Sequence, residues 1–277
     1  MKTIVHLSDL HFGTVDDAVR IGLEAAVRQA TPDLVVVSGD LTQRAKVREF
    51  LQARRFLDAL PAPTLVVPGN HDVPLYDVFR RFLRPLTRYR RIITDDLEPF
   101  YADTEIAVAG LNTARSATFK NGRINEGQLA RMAERFAALS PETTRIVVVH
   151  HPFGHAATMD ERDIVGRAAL AVDAFSRSRI DIVLAGHLHS AHAGASSERY
   201  DIDGYAALLI QAGTATSTRR RGEANSFNVL RIARPHVELD CRTWKGNEGF
   251  VSTARERFEF AAGGWTKAPH LDGVRLQ

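Results

Sequence analysis

Five short segments concentrate the side chains able to do chemistry: Asp9-Leu10-His11, Gly39-Asp40, Gly69-Asn70-His71-Asp72, His150-His151-Pro152 and Gly186-His187-Leu188-His189. Carboxylate, imidazole and amide oxygen donors suit borderline divalent ions such as Mn2+, Fe2+ or Zn2+. In extended backbone, residues i and i+2 point the same way, so Asp9 with His11, and His187 with His189, would each present two ligands to one crevice. Gly39, Gly69 and Gly186 stand just before ligands, where the chain must turn sharply or pass close to another group. Seven ligands exceed the need of one ion, whereas two ions about 3.5–4 Å apart, sharing a bridging carboxylate, would use them all. With Asp9, Asp40 and a bridging hydroxide, two divalent ions leave a net charge of about +1, which favours an anionic substrate and the transition state of phosphoryl transfer.

Elements that could position such ligands are visible in the hydrophobic pattern. Nearly continuous apolar runs at 4–7, 34–37, 65–67, 106–109, 146–149 and 182–185 read as strands buried on both faces. Helical patterns lie between them, at 17–29, 47–60, 76–82, 126–139 and 167–178, with Asn125 and Gln128 placed as a capping pair. Strand–helix alternation predicts an α/β sheet. Each of the five segments follows a strand, and open α/β sheets bind ligands beyond the carboxyl ends of their strands. After about residue 200, runs at 205–211, 227–232, 237–244 and 258–260 are separated by short loops, so antiparallel pairing is expected there. We expect one domain over 1–260 and a tail over 261–277.

The ordered set D-x-H, G-D, G-N-H-D, H-x-P-like and G-H-x-H resembles the calcineurin-like metallophosphoesterase superfamily over about residues 3–190. The blocks Ser8–His11, Gly39–Thr42 and Pro68–Val73 look most like bacterial class III cyclic-nucleotide phosphodiesterases. The resemblance implies an α/β four-layer α/β/β/α sandwich, two mixed β-sheets flanked by helices, with the metals at the strand ends. It implies one metal on Asp9, His11, Asp40 and His189, and a second on Asp40, Asn70, His150 and His187, with Asp40 bridging. The cofactors would be two divalent transition-metal ions per chain, manganese or iron, with zinc also open. His71 would hydrogen-bond the phosphate and protonate the leaving oxygen, Asp72 would orient His71, and a metal-bridging hydroxide would attack phosphorus in line.

Other residues near these blocks have plainer readings. His150 directly follows a strand and aligns with the family ligand, so it is preferred to His151, which touches substrate or packs. His155 and His192 read as solvated loop histidines, His6 as a core histidine, and His236 and His270 as surface. Asn112 and Thr113 either reach the crevice or cap a loop. Arg44 either contacts a phosphate or pairs with Glu49. Cys241 reads as a small core residue. The basic loop 218–221 reads as a solvated turn, the alternative being a phosphate contact. Arg80, Arg81, Arg84, Arg88, Arg90 and Arg91 read as a solvated helix face, the alternative being a rim for an anionic substrate or a second subunit.

The composition narrows the function classes. The chain has 277 residues, 44% hydrophobic and 25% charged, as an ordinary globular protein does. A single cysteine excludes an internal disulfide and a Cys-rich metal site. No apolar run approaches the roughly 20 residues of a membrane span. The N-terminus lacks a signal-peptide layout, so a cytoplasmic protein is expected. The net charge is +3, but only five of the 36 Lys and Arg residues are lysines. So general an arginine bias is not a nucleic-acid footprint, and nucleic acid is not an expected partner. The expected substrate is a small phosphodiester, with a cyclic nucleotide as leading candidate. Glycerophosphodiesters, lipid-linked pyrophosphates and nucleic acid are the alternatives on the same site, and a lipid substrate predicts an exposed apolar patch beside the crevice. Every expected ligand is present, which argues against a metal-free interaction scaffold. Monomer and homodimer are both open.

Overall fold

The computed structural model describes residues 1–115, 121–154, 160–218 and 223–268. In chain order the elements are β1 (Lys2–Leu7), α1 (Asp17–Gln29), β2 (Leu34–Ser38), α2 (Val47–Asp58), β3 (Thr64–Val67), α3 (Val78–Leu83), α4 (Thr87–Ile92), β4 (Phe100–Ala102), β5 (Ile106–Gly110), α5 (Glu126–Ala137), β6 (Thr144–Val148), α6 (Ala168–Arg177), β7 (Ile182–Ala185), β8 (His192–Ala195), β9 (Leu208–Gln211), β10 (Ser226–Ala233), β11 (His236–Trp244), β12 (Phe250–Ala261) and β13 (Gly264–Lys267). Short 3-10 turns cover Asn70–Asp72, Glu161–Asp163, Ser196–Glu198 and Gly246–Glu248.

Among the described residues, one sheet has the order β13-β12-β11-β10-β1-β2-β3 and the other β4-β5-β6-β7-β9-β8. Strands β1, β2 and β3 run parallel, and β10 to β13 extend that sheet antiparallel from β1. In the second sheet β5, β6, β7 and β9 run parallel, with β4 and β8 antiparallel at its edges. Strands β2, β5 and β7 are almost wholly apolar and buried along their length because both faces are covered. Leu34 and Val36 of β2 pack with Ile146, Val148, Ile182 and Leu184 of the opposite sheet. Val35 and Val37, one residue out of phase, pack instead with Leu23, Val27 and Phe50 of α1 and α2. Helices α5 and α6 cover the outer face of the second sheet through Leu129, Met132, Phe136, Ala171, Val172 and Phe175. The layers are therefore α/β/β/α, as expected.

Local signals explain the helix starts. Asp16 caps α1 by accepting from the Ala18 and Val19 amides. At α5, the Gln128 amide donates to Asn125 Oδ1 at 2.9 Å and the Asn125 amide donates to Gln128 Oε1 at 3.2 Å, the reciprocal pair expected. Three expectations change. Residues 264–267 are a strand, not a tail: Trp265 is fully buried, packs into the cluster between the sheets, and donates from its indole to Asp181. One large anchor in a four-residue strand leaves no periodicity to read. The run 205–211 contributes β9, which pairs parallel with β7 and not within the antiparallel series. The arginine-rich segment is not simply a solvated face: Arg81 is buried and donates to the Pro74 carbonyl, and Arg88 donates to the Ala45 carbonyl. No helix among the described residues is long and apolar enough to cross a membrane.

Candidate metal centre

The five segments leave the carboxyl ends of β1, β2, β3, β6 and β7, and backbone hydrogen bonds latch them together. The Asp9 amide donates to the Gly39 carbonyl, His11 to Asp40, and Gly186 to His150. The His187 amide donates to Asp9 Oδ2 at 3.0 Å, which ties the two sheets together at the site. Asp9, His11, Asp40, His187 and His189 all adopt φ between 48° and 77°. This left-handed backbone is uncommon for residues with a Cβ, and its concentration here is local strain held by the surrounding fold. It corrects the expectation of extended segments: the i, i+2 ligands converge through left-handed residues, not through strand alternation. Glycine is needed where the loops touch. A Cβ on Gly69 would lie 2.1 Å from Asp40 Oδ1, and one on Gly186 would lie 1.8 Å from Ser8 Oγ.

All seven expected ligands meet. Asp9 Oδ1 lies 3.5 Å from His11 Nε2 and 3.6 Å from His189 Nε2. Asp40 divides its carboxylate: Oδ2 is 3.7 Å from His11 Nε2, and Oδ1 is 3.4 Å from His150 Nε2. Asn70 Oδ1 and His187 Nδ1 stand 3.0 and 3.3 Å from the same His150 nitrogen. The rings of His11 and His189 stack at 5.5 Å.

A cation fits this donor set. His150 Nδ1 lies 2.7 Å from the Ser38 carbonyl, an acceptor only, so that nitrogen carries the proton and Nε2 of the neutral ring is a lone pair. That lone pair faces an amide oxygen, a carboxylate and a second imidazole, an arrangement that a positive ion between them satisfies. Asp9 Oδ1 and both ring nitrogens of His11 are buried without a hydrogen bond, a costly state for polar atoms that lack a ligand. Burial, and then the neighbouring His150, push the His187 imidazole down to about 4, which keeps it unprotonated and able to coordinate at neutral pH.

Around the ligands lies a supporting layer. Ser8 Oγ donates to Asp9 Oδ2 at 2.6 Å. Thr214, just beyond β9, pairs through its hydroxyl with His189 Nδ1. Such partners orient ligand rings and set their basicity. Neither Thr214 nor the Ser38 carbonyl carries a signal in the sequence; Ser8 at least adjoins a ligand block.

His71 is half-buried. Its amide donates to Asp40 Oδ1 at 2.8 Å, and its ring Nδ1 lies 2.9 Å from the Gln43 carbonyl. The ring therefore keeps Nε2 for another partner. Asp72 does not hydrogen-bond the His71 ring, which corrects the expectation that it orients it. The Asp72 carboxylate turns instead into the loop and accepts from the Gly69, Leu41 and Thr42 amides and from Thr42 Oγ1, at 2.9 to 3.2 Å. Those orphan donors of two loop ends claim it first. Burial, with repulsion from Asp40, raises its carboxyl to about 6.

Of the neighbouring residues, His151 is buried, with Nδ1 2.7 Å from Thr113 Oγ1, and its ring lies 4.8 Å from those of His150 and His187. Asn112 caps its loop by accepting from the Ala114 amide. The Arg44 guanidinium stands over the Tyr76 ring, while Glu49 accepts from the Arg44 amide and not from its side chain. His6 is a core histidine, its Nε2 2.9 Å from Ser38 Oγ. His192 begins β8, and Cys241 is half-buried on β11. His155, His270 and residues 219–221 lie outside the described residues.

Comparison with known proteins agrees with this geometry. Residues 2–191 match the family model of calcineurin-like phosphoesterases. The chain is 31% identical over 163 residues to the glycerophosphodiester phosphodiesterase GpdQ of Enterobacter lignolyticus, a match covering 54% of this chain and 56% of that protein. It is 28% identical over 162 residues to a probable cyclic nucleotide phosphodiesterase of Rhodopseudomonas palustris, covering 55% of this chain and 57% of that one. The chain thus spans little more than half the length of these curated relatives. Among solved structures, a dimetal phosphatase from Danio rerio superposes with a TM-score of 0.66 at 14% identity, covering 87% of this chain and 96% of that one. Purple acid phosphatase PPD1 from yellow lupin seeds gives 0.69 at 11%, covering 92% of this chain and 53% of that one, and these two likenesses concern the fold alone. With ligand blocks, layer order and family match in agreement, the chain belongs to the calcineurin-like phosphoesterase family.

Proposed function

We propose that this chain hydrolyses a small phosphodiester using two divalent transition-metal ions at the strand ends. The observation that carries the reading is the divided carboxylate of Asp40, which offers one oxygen toward His11 and the other toward His150. Asp9, His11, Asp40 and His189 would hold one ion, and Asp40, Asn70, His150 and His187 the other. Manganese, iron and zinc all suit such nitrogen and oxygen donors. When bound, the ions supply Lewis acidity and an activated water. The chain's own residues supply position and proton delivery. The His71 ring donates from Nδ1 to the Gln43 carbonyl, so Nε2 is the atom turned to the phosphate; in the doubly protonated ring that nitrogen also carries a proton, which it can donate to the phosphate and pass to the leaving oxygen, leaving a neutral imidazole. Its amide, donating to Asp40, holds the ring and the Asp40 carboxylate in one fixed relationship.

A cyclic nucleotide is the leading candidate substrate, supported by similarity to probable cyclic nucleotide phosphodiesterases. A glycerophosphodiester is the second reading, favoured by the similarity to GpdQ. The test is turnover with added Mn2+ of cyclic nucleotides, glycerophosphodiesters, and bis-(p-nitrophenyl) phosphate against its monoester. Diester turnover should exceed monoester turnover; preference for the monoester would overturn the diesterase assignment.

A further inference from the structure

Helix α3 and the residues before it are built inside out. Leu75, Tyr76, Val78, Phe79, Phe82 and Leu83 are 38 to 72% exposed, while the one buried side chain of the helix is Arg81, which donates to the Pro74 carbonyl. A helix on a water-facing surface normally shows the reverse. Six large apolar side chains exposed within nine residues are a concentration of apolar surface of the kind that marks an interaction site.

The surroundings of the patch say what it meets. Residues 75–91 carry six arginines and one acid, Asp77. Arg80, Arg84, Arg90 and Arg91 are exposed, and Leu83, Arg84 and Arg90 line one surface depression. A second copy of this chain docking the same face about a two-fold axis would bring arginine against arginine, which disfavours self-association. Exposed aromatic and aliphatic side chains interspersed along the chain with exposed arginines match an interface between apolar chains and anionic head groups. The patch is braced rather than trailing: the Arg44 guanidinium stands over Tyr76, and Arg88 donates to the Ala45 carbonyl.

We infer that α3 is a membrane-docking element, which seats the chain on an anionic lipid surface with Phe79 and Phe82 at the acyl boundary and the arginines at the head groups. This goes beyond the proposed hydrolysis and does not depend on it, since docking requires no metal.

The experiment is co-sedimentation of the full chain with vesicles of equimolar phosphatidylcholine and phosphatidylglycerol, against phosphatidylcholine alone, at low and high salt. The wild-type chain should pellet with the anionic vesicles and be released by salt. The F79S/F82S double variant should partition at least about tenfold more weakly. Because both side chains are exposed, the variant should keep the wild-type melting temperature and its turnover of soluble diesters. A wild-type chain that stays in the supernatant, or a double variant that binds equally well, overturns the inference. So does a wild-type dimer in analytical ultracentrifugation that the double variant converts to monomer, which would assign the patch to a second copy. Loss of turnover on an acyl-bearing diester without any vesicle binding would likewise overturn it and give the patch to substrate. Absence of all phosphodiesterase activity would sink only the proposed function, because vesicle binding is read separately.

Discussion

His150 Nδ1 lies 2.7 Å from the backbone carbonyl of Ser38, across 112 residues of chain. This contact decides the histidine's tautomer and leaves Nε2 as a lone pair among Asn70, Asp40 and His187. The nitrogen is thus preset to coordinate. We predict that the wild-type chain binds about two transition-metal ions, and that His150→Ala binds about one, with diester turnover at least ~100-fold lower. Metal content by inductively coupled plasma mass spectrometry, alongside turnover, checks this. An unchanged stoichiometry would remove His150 from the ligand set.

Thr214 serves His189 as Ser38 serves His150, but through a side chain, so it can be substituted. Thr214→Val keeps the shape and removes the hydroxyl. Metal affinity should fall about 10–100-fold, the usual effect of losing a ligand's outer partner. Competition with a chelator measures it, and excess metal should restore most of the turnover.

His71 and Asp72 are neighbours in sequence with separate tasks. His71→Ala should lower diester turnover at least ~100-fold with metal content unchanged, as expected when a positioned acid is lost. Asp72→Ala removes an acceptor of four loop hydrogen bonds. Its main effect should be a stability loss of about 3 kcal/mol, read in a denaturant titration. An Asp72→Ala variant as stable as wild type would show that those bonds do not hold the loop.

Burial pushes the His6 imidazole down to about 3 in the fold. Its native pKa is below its unfolded value, so on acidification the unfolded chain takes up the proton first. Stability is therefore lost as pH falls from about 6.5 toward 3. Between pH 7 and 5 this one group should cost about 2 kcal/mol. His6→Gln keeps a partner for Ser38 Oγ and should flatten the acid limb by that amount in thermal or denaturant unfolding. An identical pH dependence in the two chains would count against it.

Much of the candidate site is legible in the amino-acid sequence. The glycines, aspartates and histidines of the five blocks state their chemistry by residue type, and the apolar runs place them at strand ends by periodicity. Trp265 was missed because a four-residue strand with one anchor has no period. The inward Arg81 was missed because residue type argues for the opposite side. The partners of Asp72 are not legible, because adjacency to His71 in sequence says nothing about which loop amides claim its oxygens.

What the amino-acid sequence determined alone is the donor set, its order along the chain and the layered α/β frame, since these depend on residue chemistry and local repeat. Tertiary structure decided the left-handed backbone of five candidate ligands, the tautomer of His150, and the outward apolar face of α3. The reason is that every residue carries a carbonyl and an amide; only packing across distant segments selects which of them meets a given side chain.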